Sequence, residues 1–417
     1  MSKLYIKGGN KLGGEVKIQG AKNSVLPILA ATLLNKNESI IHNCPQLSDT
    51  DVSLKILNHL GCYCLRNDNT VIVKADSVNK NEIPDNLMRE LRSSVVFLGA
   101  LIGRMGSAVI SSPGGCELGP RPIDLHISSL QKLGVEIVED HGYLYCSTPN
   151  GLNGAEIHLS FPSVGATENI ILAATLATGK TVIHGAAKEP EISDLADFLN
   201  GAGAKIYGAG SDTVVINGVK DLNSTEHTVI PDRIVAVTYI AAAAVTGGDI
   251  FVKNIMPSHL VGPLNFFREV GCKIDPCSNY LRVIAPKTIK RIPTIRTMVY
   301  PGFPTDSGPP FIAMLSLGKG TSVFVENIFQ NRYKYIDELK RLGAKITIQG
   351  NVAVVEGVKR LSAAPTECTD LRGGAALVVA ALNAEGITEV DKISHIDRGY
   401  EKIEKYLTAL GAEIKRE

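Results

Sequence analysis

One cysteine of this chain stands in "SSPGGCELGPRPIDLHI", residues 111–127, among Gly114, Gly115 and Gly119, Pro113, Pro120 and Pro122, and Arg121. Glycine opens backbone conformations closed to other residues and proline stiffens the chain. The stretch therefore reads as a shaped loop and not as the wall of a core. A thiol held there beside cations can act as a nucleophile or a proton donor; an inert surface thiol is the bland alternative. A second set of polar residues recurs along the chain. Lys22 with Asn23, Arg92, Gly165, Arg233, Asp306, and Asp370 with Arg372 stand where apolar helices begin; Asp49, Arg121, Arg332 and Arg398 stand just ahead of a second series of helices. Helix N-termini favour anions, and arginine grips planar carboxylates and phosphates with two parallel bonds. The expected chemistry is work on an anionic substrate in a cationic cleft between two domains. For any one of these residues, routine capping or ion pairing is an equal explanation.

What must position these residues is a repeat. LNHLGCYC (57–64) returns as LQKLGVEI (130–137), LNGAGAKI (199–206), FREVGCKI (267–274), LKRLGAKI (339–346) and LTALGAEI (407–414), with the shared glycine at 61, 134, 203, 271, 343 and 411. Each glycine is expected to end a helix in the left-handed conformation, and a pair of β-rich runs follows it. Ahead of it comes an Ala/Leu-rich helix, a Gly-containing turn and a β-branched strand, as in "NSVLPILAATLLNKNESIIH", "ATENIILAATLATGKTVIH" and "GPPFIAMLSLGKGTSVFV". One unit reads as helix, strand, helix, then two strands, with a further strand not placed. Such a unit cannot bury both faces of its sheet alone. Six units in 417 residues suggest two domains of three, with the Ala-rich helices inside and the sheets outside.

The repeat also sorts the cysteines. Cys62 and Cys272 fill a position taken elsewhere by Val135, Ala204, Ala344 and Ala412; Cys64 matches Ile137, Ile206, Ile274 and Ile346; Cys146 matches Val73, Val283 and Val355. These four read as core thiols. Cys44, Cys277 and Cys368 have no assignment, and Cys116 alone sits in a loop that the other five units lack, the kind of insertion that carries function.

Composition narrows the classes. The 43 basic and 42 acidic side chains nearly cancel, which gives no global case for nucleic acid or an anionic membrane. The longest apolar stretch, 234–245, is too short to span a bilayer and reads as a buried helix. No signal peptide is recognised, and eight cysteines without CxxC pairs fit reduced thiols in a cytoplasm. No phosphate-binding GxxxxGK[ST] loop or dinucleotide fingerprint is found, and the nine histidines form no HExxH or similar pair. Neither a cofactor nor a metal is expected.

The segments "GAKNSVLPILAATLL", "PGGCELGPRPIDLHI", "YPGFPTD", "ENIFQNRY", "TDLRGGAALVVAAL" and "HIDRGYEKI" closely resemble the UDP-N-acetylglucosamine 1-carboxyvinyltransferases, a family of enolpyruvyl transferases in the EPSP synthase-like superfamily. The resemblance runs over nearly the whole chain. It implies a two-domain inside-out α/β barrel, three repeats per domain, the first domain spanning 22–229 and the second combining 1–21 with 230–417. It also implies transfer of enolpyruvyl from phosphoenolpyruvate to the 3′-hydroxyl of UDP-N-acetylglucosamine with release of phosphate, the first committed step of peptidoglycan synthesis in the bacterial cytoplasm. By the same resemblance Cys116 would protonate the methylene carbon of phosphoenolpyruvate, and could form a covalent phosphothioketal, while Asp306 would take the proton of the sugar hydroxyl. Lys22, Arg121 and Arg398 would contact phosphate and carboxylate. Asn23, Arg92, Arg121, Pro122, Ile123, Asp124, Leu125, Asp306 and Ile328 would contact the sugar nucleotide, and Asp49, Arg332, Asp370 and Arg372 would line the same cleft. Two positions depart from the family pattern. "SGPPF" follows Asp306 where an aliphatic residue and glutamines are common, and Phe161 stands where some members carry lysine. The sister enzyme acting on shikimate 3-phosphate, a non-catalytic nucleotide-sugar binder and a repeat protein used for interaction or RNA-end chemistry are the competing readings. The "PGGCELGPRP" loop argues against the first, and the joint presence of Lys22, Cys116, Asp306 and Arg398 against loss of activity.

Overall fold

The computed structural model describes residues 2–91, 94–111 and 123–417. Arg92, Cys116, Arg121 and Pro122 lie outside the described residues. The chain forms two compact units, one of residues up to Gln19 with Pro231–Glu417, the other running from Gly20 to Ile230.

Each unit is organised around helices too apolar to face water. In the Gly20–Ile230 unit these are Lys22–Ala31, Val96–Met105 and Val164–Ala174; in the other they are Arg233–Thr246, Gly308–Leu315 and Leu371–Ala381. Nearly every residue of all six is buried, as a helix apolar on all sides requires. The stretch 234–245 is thus a buried helix, and no described helix is long and apolar enough to cross a membrane.

Three sheets belong to each unit, and all six follow one plan. A central strand has a short parallel neighbour on one side; on the other it has an antiparallel neighbour, which in turn carries a fourth, antiparallel strand. Thus Glu156–His158 lies parallel to Lys180–His184, which pairs antiparallel with Thr213–Asn217. The repeat therefore begins with a three- to five-residue strand ahead of its first helix, the strand the sequence pattern does not place. In the sheet of Ser107–Ser111 that edge shrinks to a single parallel bridge, Glu82 to Val109. Strands distant in sequence complete three of the sheets. Thr225–Thr228 lies beside Glu38–His42, and Gly13–Lys17 beside Asp249–Lys253. Leu4–Lys7 is inserted between Ile387–Asp391 and Glu413–Arg416. The sixth repeat thus takes one of its two closing strands from the N-terminus, where the sequence pattern expects both after the glycine.

All six shared glycines have φ between 92° and 106°. In every copy the following N–H returns to the carbonyl five residues earlier, as in Cys62 to Leu57 (3.0 Å), Cys272 to Phe267 (3.0 Å) and Ala412 to Leu407 (3.0 Å). This is the Schellman arrangement, which satisfies the last carbonyls of a helix and turns the chain into the next strand. The residue after the glycine is buried in all six, which accounts for Cys62 and Cys272 as small hydrophobes. Cys146, Cys44 and Cys368 are buried as well, Cys64 is half-buried, and Cys277 is exposed.

A β-carbon at Gly343 would meet nothing within 4 Å, whereas at Gly61 it would come within 2.6 Å of the Ser77 carbonyl oxygen. Gly343→Ala is therefore expected to cost only the left-handed backbone, about 1–2 kcal/mol, and Gly61→Ala measurably more. Urea unfolding of the two variants checks this; an unchanged Gly343→Ala midpoint would remove the backbone argument.

Candidate active site

Lys22 opens its helix, and its ammonium lies 2.7 Å from Asp49 Oδ2, with the two side chains 10% and 2% exposed. A cation at a helix N-terminus works against the dipole, while Asp49, in the first turn of Ser48–His59, works with it. Asp49 thus holds a lysine where its own helix disfavours one. Asn23, the next residue, is exposed. Behind them the Ser24 hydroxyl donates to Asp194, whose carboxylate also accepts the Ile230 N–H (3.2 Å) and meets His227 Nε2 (2.8 Å).

Ile123, Asp124 and Leu125 begin the helix Asp124–Lys132, with Asp124 exposed and its neighbours half-buried. A polar knot fixes this start. Asn169 Nδ2 donates to His126 Nδ1 (2.9 Å) and to the Val95 carbonyl (3.1 Å), and Asn169 Oδ1 accepts the Gly99 N–H (2.6 Å). Burial pushes His126 down to about 4, outweighing the opposite pull of Asp124. The ring is therefore neutral at pH 7 and accepts at Nδ1. One asparagine of the next helix, Val164–Ala174, in this way ties together the starts of the two helices in the repeat that carries the cysteine loop.

In the other unit Asp306 lies in a turn, Thr305–Ser307, leading into Gly308–Leu315. Pro309 and Pro310 fall in the first helical turn, where a missing N–H is tolerated. This accommodates the "SGPPF" departure locally. Asp306 Oδ1 accepts from Arg332 Nη2 (3.0 Å) and Oδ2 from Arg372 Nε (3.3 Å); both arginine side chains are 2% exposed, the aspartate 26%. The carboxylate is the accessible edge of a buried trio. Arg332 also donates to the Thr305 carbonyl (3.3 Å). The Arg372 guanidinium lies 5.3 Å from the Tyr400 ring centre. Burial opposes its charge, but Tyr400, Asp306 and Asp232 more than offset that, so it is held protonated. Arg332 Nε and Arg372 Nη1 are buried and meet no acceptor among the described residues, an unmet demand of the kind a ligand or water satisfies.

Glu326 is a residue the sequence reading did not single out, although it opens the quoted "ENIFQNRY". It is 4% exposed. Its Oε1 accepts from the Thr297 hydroxyl (2.9 Å) and the N–H groups of Ile328 (2.8 Å) and Phe329 (3.1 Å), and its Oε2 from the Thr305 hydroxyl (2.8 Å). One buried carboxylate thereby sets both the Ile328 loop and the residue before Asp306. The legible signal was an acidic residue directly after an apolar strand.

Asp370 keeps its expected place at a helix start, and the placement of Arg398 needs correcting. Asp370 accepts the N–H groups of Arg372 (3.1 Å) and Gly373 (3.0 Å), so one of its oxygens is a helix cap, the role Asp232 plays for Ile234 and Val235. Arg398 does not stand at the N-terminus of a continuous helix: it follows Ser394–Asp397 and precedes Ile403–Ala409. The break is held by Gln19, whose amide donates to the Gly399 carbonyl (3.2 Å) and accepts the Glu401 N–H (2.8 Å). It lets Tyr400 turn inward beneath Arg372. Half-buried Arg398 is thus presented by a break rather than a helix start. Lys22, Asn23 and Asp49 come together in one unit; Asp306, Arg332 and Arg372 do so in the other.

The EPSP synthase (3-phosphoshikimate 1-carboxyvinyltransferase) family model matches residues 6–407. A UDP-N-acetylglucosamine 1-carboxyvinyltransferase of Caldanaerobacter subterraneus is 53% identical over 416 residues, covering 100% of both chains. One of Symbiobacterium thermophilum is 48% identical, covering 99% of this chain and 95% of the relative. Among solved structures, the enolpyruvyl transferase NikO from Streptomyces tendae superposes with a TM-score of 0.89 at 24% identity, over 100% of this chain and 98% of that one; this bears on the fold, an α/β architecture of six repeats. On sequence and fold together, the chain belongs to the EPSP synthase family of enolpyruvyl transferases, on the branch of the UDP-N-acetylglucosamine 1-carboxyvinyltransferases.

Proposed function

We propose that this chain transfers the enolpyruvyl group of phosphoenolpyruvate to the 3′-hydroxyl of UDP-N-acetylglucosamine and releases inorganic phosphate, serving peptidoglycan synthesis in a bacterial cytoplasm. The observation that carries the chemistry is the solvent-reachable Asp306 carboxylate clamped by two buried guanidiniums. Full-length identity to enzymes of that name supports the choice of acceptor.

In the addition step the sugar oxygen bonds to C2 of phosphoenolpyruvate while its proton passes to Asp306. The methylene carbon receives a proton from Cys116, becoming a methyl group. An acid and a base on the two sides of the reacting bond is what addition across a double bond demands. The tetrahedral intermediate carries carboxylate and phosphate, which Lys22, Arg121 and Arg398 would stabilise as charge develops. Elimination then removes a proton from the methyl group and expels phosphate, restoring the double bond. Asp49 acts by holding Lys22, and Glu326 by holding the backbone on either side of the acceptor's contacts.

Phosphate release from phosphoenolpyruvate is expected with UDP-N-acetylglucosamine and not with shikimate 3-phosphate; the reverse preference would move the chain to the sister reaction. Asp306→Asn should lower turnover by about 10²–10⁴-fold, the usual worth of a positioned base, while calorimetric binding of the sugar nucleotide persists. Glu326→Gln, which leaves the base in place, should lose less, within about 10²-fold, as small misplacements do. Near-normal turnover of Asp306→Asn would reduce Asp306 to a structural carboxylate.

The thiols provide a separate test. Burial pushes Cys62, Cys64 and Cys272 up to about 12 and Cys146 up to about 11. These groups stay protonated and inert near neutrality, Cys44 and Cys368 are buried too, and Cys116 and exposed Cys277 are left as the candidates for alkylation. Limiting iodoacetamide with peptide mapping should label Cys116 first. Cys116→Ser should lose most turnover, whereas Cys277→Ser should keep it, and fosfomycin, an electrophilic epoxide, should protect Cys116 alone. Labelling of Cys277 ahead of Cys116, or normal turnover of Cys116→Ser, would contradict the assignment.

A further inference from the structure

The edge strand Glu156–His158 runs parallel to Lys180–His184 in a register that sets His158 directly beside His184. Glu156 precedes His158 by two residues, so the alternation of a strand puts all three side chains on one face. Ile157 and Ile183 are buried on the other. The outward trio converges. Glu156 Oε1 lies 2.9 Å from His184 Nε2 and 3.9 Å from His158 Nε2, and the imidazole rings stack with centres 4.5 Å apart and planes 15° from parallel. One ligand atom from each residue falls within 4.8 Å of the other two, and this is the one such trio of His, Cys, Asp and Glu found among the described residues.

A simple ion pair would use one ring. Here two rings address the same carboxylate oxygen, and stacked this closely they repel if both are protonated. Once a cation displaces the Nε2 protons, the two rings instead offer two nitrogen lone pairs beside one carboxylate oxygen. Two nitrogens and an oxygen form a donor set suited to zinc and its neighbours, with bond lengths near 2.0–2.2 Å. Glu156 and His158 are exposed and His184 half-buried, so rotation about their side-chain bonds can close the remaining distance. On the neighbouring strand Thr213 sits opposite His184. We propose that Glu156, His158 and His184 form a surface site for a divalent transition metal of the zinc, nickel and copper class, with water completing the coordination. Binding would displace any protons on the two rings and pin a three-residue edge strand to its one strand partner among the described residues. None of the three residues belongs to the transfer machinery proposed above.

The test is Zn2+ titration of the full-length, untagged chain by calorimetry, beside His158→Ala, His184→Ala and Cys277→Ser. One saturable site is expected in the wild type and in Cys277→Ser. Each histidine replacement should weaken it by more than about tenfold, at least as much as losing a supporting residue around a metal, with transferase turnover unchanged in the absence of Zn2+. Heteronuclear spectra of the wild-type imidazoles, which need no variant, should show both rings shift together on adding Zn2+. Absence of a wild-type site, survival of the site in both histidine variants, or a shift confined to one ring would overturn the assignment.

Discussion

The constraint on which the rest of this structure depends is that each unit contains three helices with no face fit for water. They can be stable only inside, so the sheets must be outside, and a repeat of a single helix-sheet unit cannot exist alone. Burying a helix also buries its first turn, whose N–H groups have no partner within the helix. Polar residues are therefore compelled to gather at the helix starts. Ser163, Asp232 and Asp370 do this by capping. The helices beginning at Lys22, Val96 and Gly308 have no side-chain cap among the described residues, and it is beside two of these that the Lys22–Asp49 pair and the Asp306 trio stand.

Those charge clusters are costly places to spend burial. Removing an ammonium and a carboxylate from water costs several kcal/mol per ion, and their attraction rarely returns more than that. A hydrophobic pair of the same volume would serve stability as well. What the clusters provide is orientation: Arg332 and Arg372 cannot swing when each is held by a carboxylate and an aromatic ring. Groups fixed before the substrate arrives do not have to be reorganised during the reaction. The same reasoning covers Glu326 and Asn169. Each spends one buried polar side chain to fix several backbone positions, and neither has to touch a substrate.

How far the fold was legible follows from which signals are local. The glycine that ends each second helix is a property of one residue and its neighbours, so all six copies stand out in the sequence and their alignment accounts for Cys62, Cys146 and Cys272. The edge strands were invisible because three residues such as Glu156–His158 carry no period. The placement of Leu4–Lys7 was invisible because its partners lie 380 to 412 residues away. In the site, charge at helix starts is where Lys22 meets Asp49 and where Arg332 and Arg372 close on Asp306. Arg398 differs only in its placement, because the helix break there is stabilised by Gln19 from the far end of the chain. Capping by Asp370 was the bland alternative, and it holds for one of that residue's oxygens.

A repeat of this kind changes what counts as a functional signal. In a chain without internal symmetry, a buried cysteine or a charged helix start has to be judged against proteins in general. Here each position has five counterparts in the same molecule, folded on the same frame, and the frame itself accounts for whatever the six share. The Schellman glycines, the buried residue that follows them and the Ala-rich helices are common to all copies, so they speak of stability. The lysine of one copy, the arginine-clamped aspartate of another and the cysteine loop of a third are not shared, and the frame has no use for them. Their retention needs a different cause, and chemistry on an anionic substrate supplies one. The histidine pair on the edge strand is likewise confined to one repeat, which is why it invites an explanation beyond the architecture that carries it.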